Sequence, residues 1–419
     1  MFSSFFSTTA PDAQNFFPVS SKYKESELFG ELEPKDTEWL ATASGFVTET
    51  QVWYISAEDR TSIMCEVIHS AVGMWYPQIQ FTCRIFNEEK KISIWKSVNI
   101  TNFLCPPPGL DKRSSKGDQF SITHKSSPGS EFPESYTISA NLGTDVQVFL
   151  ELARPAAIPG FKIGKGPDGG YSYFGADPAY RDGYVTHRFW PRYNASGHLI
   201  LNGQAQAVKG PGMFIHAIQG MRPNLVACRW NFADFQSDEE GGVSCIQMEF
   251  TTQDNYGEKG FGSGQVSVNV GSMVVGGKLA TVTAETKYHN QPYAEDASVV
   301  SRAIHAKQKF DPDTGYPAPG EIIFEWAGPS LIPGESGVYR GVIVGDMGPC
   351  DKPHGLVEKV DVLAEIPYVV KMAVNYVAGT KPYIYQWFNP GNMLITKPGE
   401  TEPIEVKGML YNEATFISP

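Results

Sequence analysis

Nowhere does the chain hold a run of about 20 consecutive apolar residues, so no segment reads as a membrane-spanning helix. It also lacks a block of Lys and Arg. Its 34 basic residues stand against 46 acidic ones, a formal net charge of −12, and that field disfavours contact with a phosphate backbone. Nucleic acid is therefore not an expected partner. There is no C-x-x-C pair either. The six cysteines, Cys65, Cys83, Cys105, Cys228, Cys245 and Cys350, lie far apart with no histidine at metal-ligand spacing. Neither a zinc site nor a disulfide framework is signalled, and buried free thiols are expected.

Catalytic signatures are missing as well. No G-x-S-x-G elbow, no H-E-x-x-H and no G-x-G-x-x-G between a strand and a helix occurs, which leaves hydrolase, zinc protease and nicotinamide-dependent chemistry without their parts. The run Phe161-Lys162-Ile163-Gly164-Lys165-Gly166 gathers glycines and a lysine but is not a P-loop. No cofactor and no metal are expected. The stretch from Met1 to Pro11 has no charged leader region and too short an apolar segment for a secretory signal, so the expected location is cytoplasmic.

What the chain does have is size and strand patterning. Its 419 residues, 41% hydrophobic and 19% charged, suit two large domains with substantial cores. Near period-2 alternation of β-branched and aromatic residues marks Val47–Ile55, Ile79–Phe86, Tyr136–Ala140, Val146–Leu152 and Met213–Ile218. The same pattern returns in Ser244–Phe250, Gln265–Val270 and Glu321–Trp326, with turns drawn from 41 glycines and 30 prolines. Only Ile366–Gly379 reads as a helix, with Pro367 in the first turn and Gly379 as its stop. Its nearly all-round apolar surface suits a segment that plugs or caps a barrel. The Gly/Pro-rich segment Ile158–Asp182 is the expected domain boundary. The expectation is thus a mostly β chain: a poorly structured segment 1–35, a first antiparallel barrel or sandwich over 36–182, and a second over 183–419 with one short C-terminal helix.

The cluster His187-Arg188-Phe189-Trp190-Pro191-Arg192 brings an imidazole, two guanidiniums and two aromatics next to that boundary. Two readings are open: Arg and Trp bridging two domains, or contact with a ligand at a domain interface. His69 and His216 sit in strand-like runs and face either a core or a cavity. Asp234 and Arg229, flanking Trp230-Asn231-Phe232, form a buried ion pair or orient a ligand.

Several dispersed strings resemble the survival factor 1 proteins of fungi, from about Trp39 to Ser418. They include Glu66-Val67-Ile68-His69-Ser70, Gln80–Phe86, Phe189-Trp190-Pro191-Arg192, Met213–Pro223, Arg229-Trp230-Asn231-Phe232, Met248–Thr252, Val360–Pro367, Ala378–Gln386 and Glu413–Ser418. The resemblance implies a pair of lipocalin-like β domains, an architecture shared with carotenoid hydratases and with fungal cyclases that guide Diels–Alder reactions. It also implies a link to oxidative-stress survival and to carrying ceramide between membranes with an amphipathic N-terminal helix. This chain departs from that pattern in two places. Met1 to Pro18 contains no basic residue and has Pro11 inside it, so membrane contact is weakly supported. Where the family reads Trp-Gly-Ser-Met-Arg-His, this chain reads Asp182-Gly183-Tyr184-Val185-Thr186-His187.

Two functions follow as expectations, both resting on a lipophilic partner in a walled chamber inside one or both barrels. The first is a cofactor-free cyclase or isomerase, of the intramolecular Diels–Alder type, acting on a terpenoid or polyene of specialised metabolism. An apolar chamber folds the substrate while Tyr184, His187, Arg188 and His216 polarise it. The second is a ceramide-binding carrier. In either case Trp75, Trp190, Trp230, His69, Arg192 and Asn231 are the expected ligand contacts.

Overall fold

The structure is a computed structural model and describes residues 13–73, 76–257, 264–289, 291–365 and 381–417. Trp75 and the helix expected over Ile366–Gly379 lie outside the described residues.

The chain is mostly β, as its alternation requires, and the described strands form two large antiparallel sheets that curl into barrel-like bodies. The first sheet holds fourteen strands between Phe16 and Gln219, the second ten between Arg229 and Phe416. In the first sheet the central neighbours run Gln78–Asn87, Ser62–Gly73, Gly45–Ser56, Gln204–Gln219, Gly183–Leu201 and Val146–Arg154. The longest hairpin joins Gly183–Leu201 to Gln204–Gln219 through Asn202 and Gly203, both at positive φ (50° and 80°). An Asn-Gly pair is suited to this turn because both central residues must enter left-handed space. Inside the hairpin the register shifts between Trp190 and Tyr193, a bulge that accommodates Pro191, which has no N–H to give the ladder.

The expected boundary segment, residues 158–182, belongs to the first sheet. Residues 158–182 contribute Phe161–Ile163 and Tyr171–Phe174, short strands that pair with Gly183–Leu201 inside the first sheet. The change of sheet comes at 220–228, a connection holding the single helical turn Pro223–Val226. Glycine and proline at 158–182 mark short strands and the turns between them, whereas the change of sheet at 220–228 is too brief to bias composition. The N-terminal segment is also more ordered than expected from residue 13 on. Phe16–Phe17 pairs with Tyr173 and Phe174, and Phe29–Glu31 pairs with Phe161–Ile163.

Three apolar clusters hold the molecule together. Trp53, Tyr136, Trp190 and Phe214 fill the first barrel with ring centroids 5.0–5.4 Å apart. Phe235, Met273, Trp326, Trp387 and Met393 fill the second. The third cluster lies in the seam between the sheets and joins Val52, Tyr54, Phe189 and Ile215 to Phe232, Ile246, Phe250 and Val268. Alternation explains this arrangement: Trp53 and Ile55 point into the first barrel while Val52 and Tyr54 point into the seam. Strands buried on both faces lose the apolar-in, polar-out signature of a simple sandwich. Arg192 crosses the seam, its guanidinium donating to Gln236 Oε1, Ser237 O, Val243 O and Ser244 Oγ at 3.0–3.2 Å and pairing with Asp238 at 2.5 Å.

Candidate functional site

Among the described residues both barrel interiors are filled by large side chains, so the chamber expected inside one or both barrels is sought elsewhere. The large apolar cavity lies in the seam instead. It has a volume of about 370 Å³, within the usual range for small-molecule sites of ~300–1,000 Å³.

Strand register gives its depth. On the first sheet, Gln219, Thr48, Ser70 and Gln78 are neighbours in one row at the strand ends, all polar. The next row holds Ala217, Thr50, Ile68 and Gln80, and the one after it Ile215, Val52 and Glu66. On the second sheet, Trp230, Thr415 and Ile384 form the outer row, and Met248, Phe232 and Glu413 the inner one. All of these side chains line the cavity, with Val362, Leu363 and Pro382 closing one side. A polar mouth therefore leads past apolar walls to two carboxyls. Four residues of strand separate Ser70 from Glu66, about 13 Å.

The inner end is electrostatically unusual. Glu66 sits in low-dielectric surroundings beside Glu413, and burial, then the Glu413 charge, pushes its pKa up to about 8. Burial raises Glu413 too, opposed by hydrogen bonds from Tyr411 Oη at 2.6 Å and Gln386 Nε2 at 2.9 Å. Both donors reach the same oxygen, Oε1. Tyr54 completes this corner, and burial with the nearby Glu413, Glu66 and Asp234 keeps its phenol firmly protonated. Just below, Arg84 is spent on Glu358 at 2.7 Å and the Val357 carbonyl at 2.5 Å.

Among the expected site residues, His187, Trp230 and Asn231 line the cavity. The His187 imidazole is held neutral, its pKa lowered to about 3 by burial and the adjacent Arg188. Asn231 is pinned from the other side, donating to Glu249 Oε1 at 2.7 Å and meeting His305 Nε2 at 2.7 Å. The rest are elsewhere. Arg188, one residue on, points to the opposite face, donating to Tyr171 Oη at 3.0 Å with Asp36 at 3.7 Å. His216 is locked between Glu49 and the Asp36 carbonyl, both at 2.9 Å, inside the first barrel. Trp190 belongs to that core, His69 packs on Phe103, Tyr184 packs on Tyr171, and Arg192 clamps the seam. None of these six lines the cavity.

Sequence reasoning missed Tyr54, Glu66 and Glu413. A signal existed in Ile63-Met64-Cys65-Glu66-Val67-Ile68, where an acid interrupts an apolar strand with no basic residue nearby to pair with it.

Comparison with known proteins agrees with this architecture. The model of the Svf1 family matches residues 2–418. The chain is 32% identical over 406 residues to the ceramide-binding protein svf1 of Schizosaccharomyces pombe, covering 96% of this chain and 93% of that protein. It is also 32% identical over 409 residues to the ceramide-binding protein svf1 of Aspergillus fumigatus, covering 93% and 91%. The crystal structure of CghA with Sch210972 superposes with a TM-score of 0.56 at 9% identity, covering 96% of this chain and 98% of that one. At that identity the likeness is one of fold.

Proposed function

The chain belongs to the Svf1 family, and from that premise we propose that it binds a long-chain, ceramide-type lipid in the seam between its two sheets. The observation that carries this reading is the cavity of about 370 Å³, walled by apolar side chains of both sheets and polar at each end. Each methylene moved from water into such walls contributes about 0.8 kcal/mol, so ten of them supply roughly 8 kcal/mol. That corresponds to micromolar affinity before ordering costs are subtracted, and the polar inner corner adds to it.

The cyclase alternative has less to rest on. Of the four groups expected to polarise a substrate, only His187 reaches the cavity, and it is a neutral imidazole. The relatives named for ceramide binding favour holding a lipid over transforming one. A two-chain lipid is almost absent from free solution, so loading from a membrane surface belongs to the proposal. Native mass spectrometry of the freshly purified protein, followed by ceramide extraction from phosphatidylcholine vesicles, tests it. A bound lipid and measurable extraction are expected; neither being found overturns the reading.

A further inference from the structure

The inner corner of the cavity holds more hydrogen-bonding capacity than the protein itself uses. Glu413 receives its two internal donors on Oε1, and its Oε2 has no donor among the described residues. Glu66 makes no hydrogen bond and no ion pair among the described residues, although it is enclosed by protein and its remaining surface faces the cavity. Both carboxyls belong to inner rows, one per sheet, so they approach the same space from opposite walls. Arg84, two residues from Thr82, which pairs with Glu66, is already committed to Glu358 and the backbone. Both carboxyls are only partly buried and open onto the cavity, so donors brought into that apolar-walled space are what their open oxygens would accept.

Chemistry limits what that occupant is. Two carboxyls with no free cation beside them among the described residues offer nothing to neutralise a phosphate or a carboxylate. A purely hydrocarbon end leaves their oxygens unsatisfied. A neutral end carrying hydroxyl or amide donors fits both demands, with the Tyr54 hydroxyl available to an acceptor on the same ligand.

We infer that Glu66 and Glu413, facing each other across the seam, form one recognition site for the uncharged, multiply donating end of the lipid, and that this site selects it over anionic and hydroxyl-free analogues. The inference rests on the proposed lipid-binding function and names the chemistry of its polar half. The lipid enters polar end first, its hydroxyl or amide hydrogens reaching Glu66 and Glu413 Oε2 while its chain lies along the apolar rows toward the mouth.

The test uses the full-length protein and vesicles carrying N-palmitoylsphingosine, its 1-phosphate or its 1,3-di-O-methyl ether. The unmodified protein should extract the parent lipid at least tenfold better than either analogue, since the ether loses both hydroxyl donors and the phosphate replaces one with negative charge. In Glu66→Leu that preference should shrink to within about threefold, and Glu413→Gln should weaken it by a smaller factor. Equal extraction of all three lipids by the unmodified protein overturns this inference and leaves lipid binding standing. Extraction of none overturns both. The comparison among lipids requires no variant, so a misfolded substitution does not obscure it.

Discussion

His187 of the first sheet stands edge-on to Trp230 of the second, ring centroids 5.9 Å apart and planes at 75°. This contact spans the seam at the cavity wall, and the imidazole in it is neutral, because burial and then Arg188 lower its pKa to about 3. In the unfolded chain the same ring titrates near 6.5. Stability from this group is therefore complete above pH ~6.5 and is lost as the pH falls toward 3, at up to about 1.4 kcal/mol per pH unit. His187→Gln should flatten the melting temperature between pH 6 and 4. His305, lowered to about 3 in the same way, adds a slope of the same sign, so the double variant should lose more of it than His187→Gln alone.

Glu66 acts with the opposite sign. Its pKa rises from about 4.5 unfolded to about 8 folded, so folding favours the protonated acid. The contribution is full below pH ~4.5 and is lost as the pH climbs through 8. Glu66→Gln keeps the volume and removes the charge, and should raise the melting temperature at pH 7.5 by several degrees while leaving it unchanged near pH 4.5. Thermal melts across that range check it; destabilisation at pH 7.5 would count against the buried acid.

Much of the fold was legible in the sequence. Segments such as Val47–Ile55 and Ser244–Phe250 lie within the strands Gly45–Ser56 and Val243–Thr251, because β-branched residues at period 2 leave few alternatives. The site was less legible, since Gly45–Ser56 is buried on both faces. Nothing local says that Trp53 fills a barrel while Val52 and Tyr54 face a second sheet. The cluster around His187 shows the same ambiguity. Alternation sends His187 to the cavity and Arg188 away from it, and the bulge at Pro191 turns Arg192 into the seam. Which face meets a ligand is decided by a partner sheet far along the chain.

Trp190 and Trp230 should part company on mutation. Trp190 is fully enclosed among Tyr136, Phe214 and Arg154, and Trp190→Ala should cost about 3–5 kcal/mol of folding stability. Trp230 is half-buried and borders the cavity. Trp230→Ala should cost less stability and more lipid affinity. Urea denaturation paired with vesicle extraction separates the two.

Arg192 tests the seam itself. Its guanidinium, nearly inaccessible to solvent, serves four acceptors and Asp238 on the second sheet. Arg192→Ala strands those groups and should lose about 3–5 kcal/mol. Arg192→Lys should recover only part of it, since an ammonium lacks the planar fork. Full rescue by lysine would mean that charge alone holds the sheets together.

The cavity is the central claim, and Ala217→Trp probes it most directly. Ala217 lies one row inside the mouth, where an indole grows into empty space rather than into a packed barrel. With ceramide extraction from vesicles and the melting temperature measured on the same preparation, the account predicts at least a tenfold loss of extraction with the melting temperature kept or raised. Undiminished extraction by a folded Ala217→Trp protein would contradict it, because the lipid would then be held somewhere other than the seam.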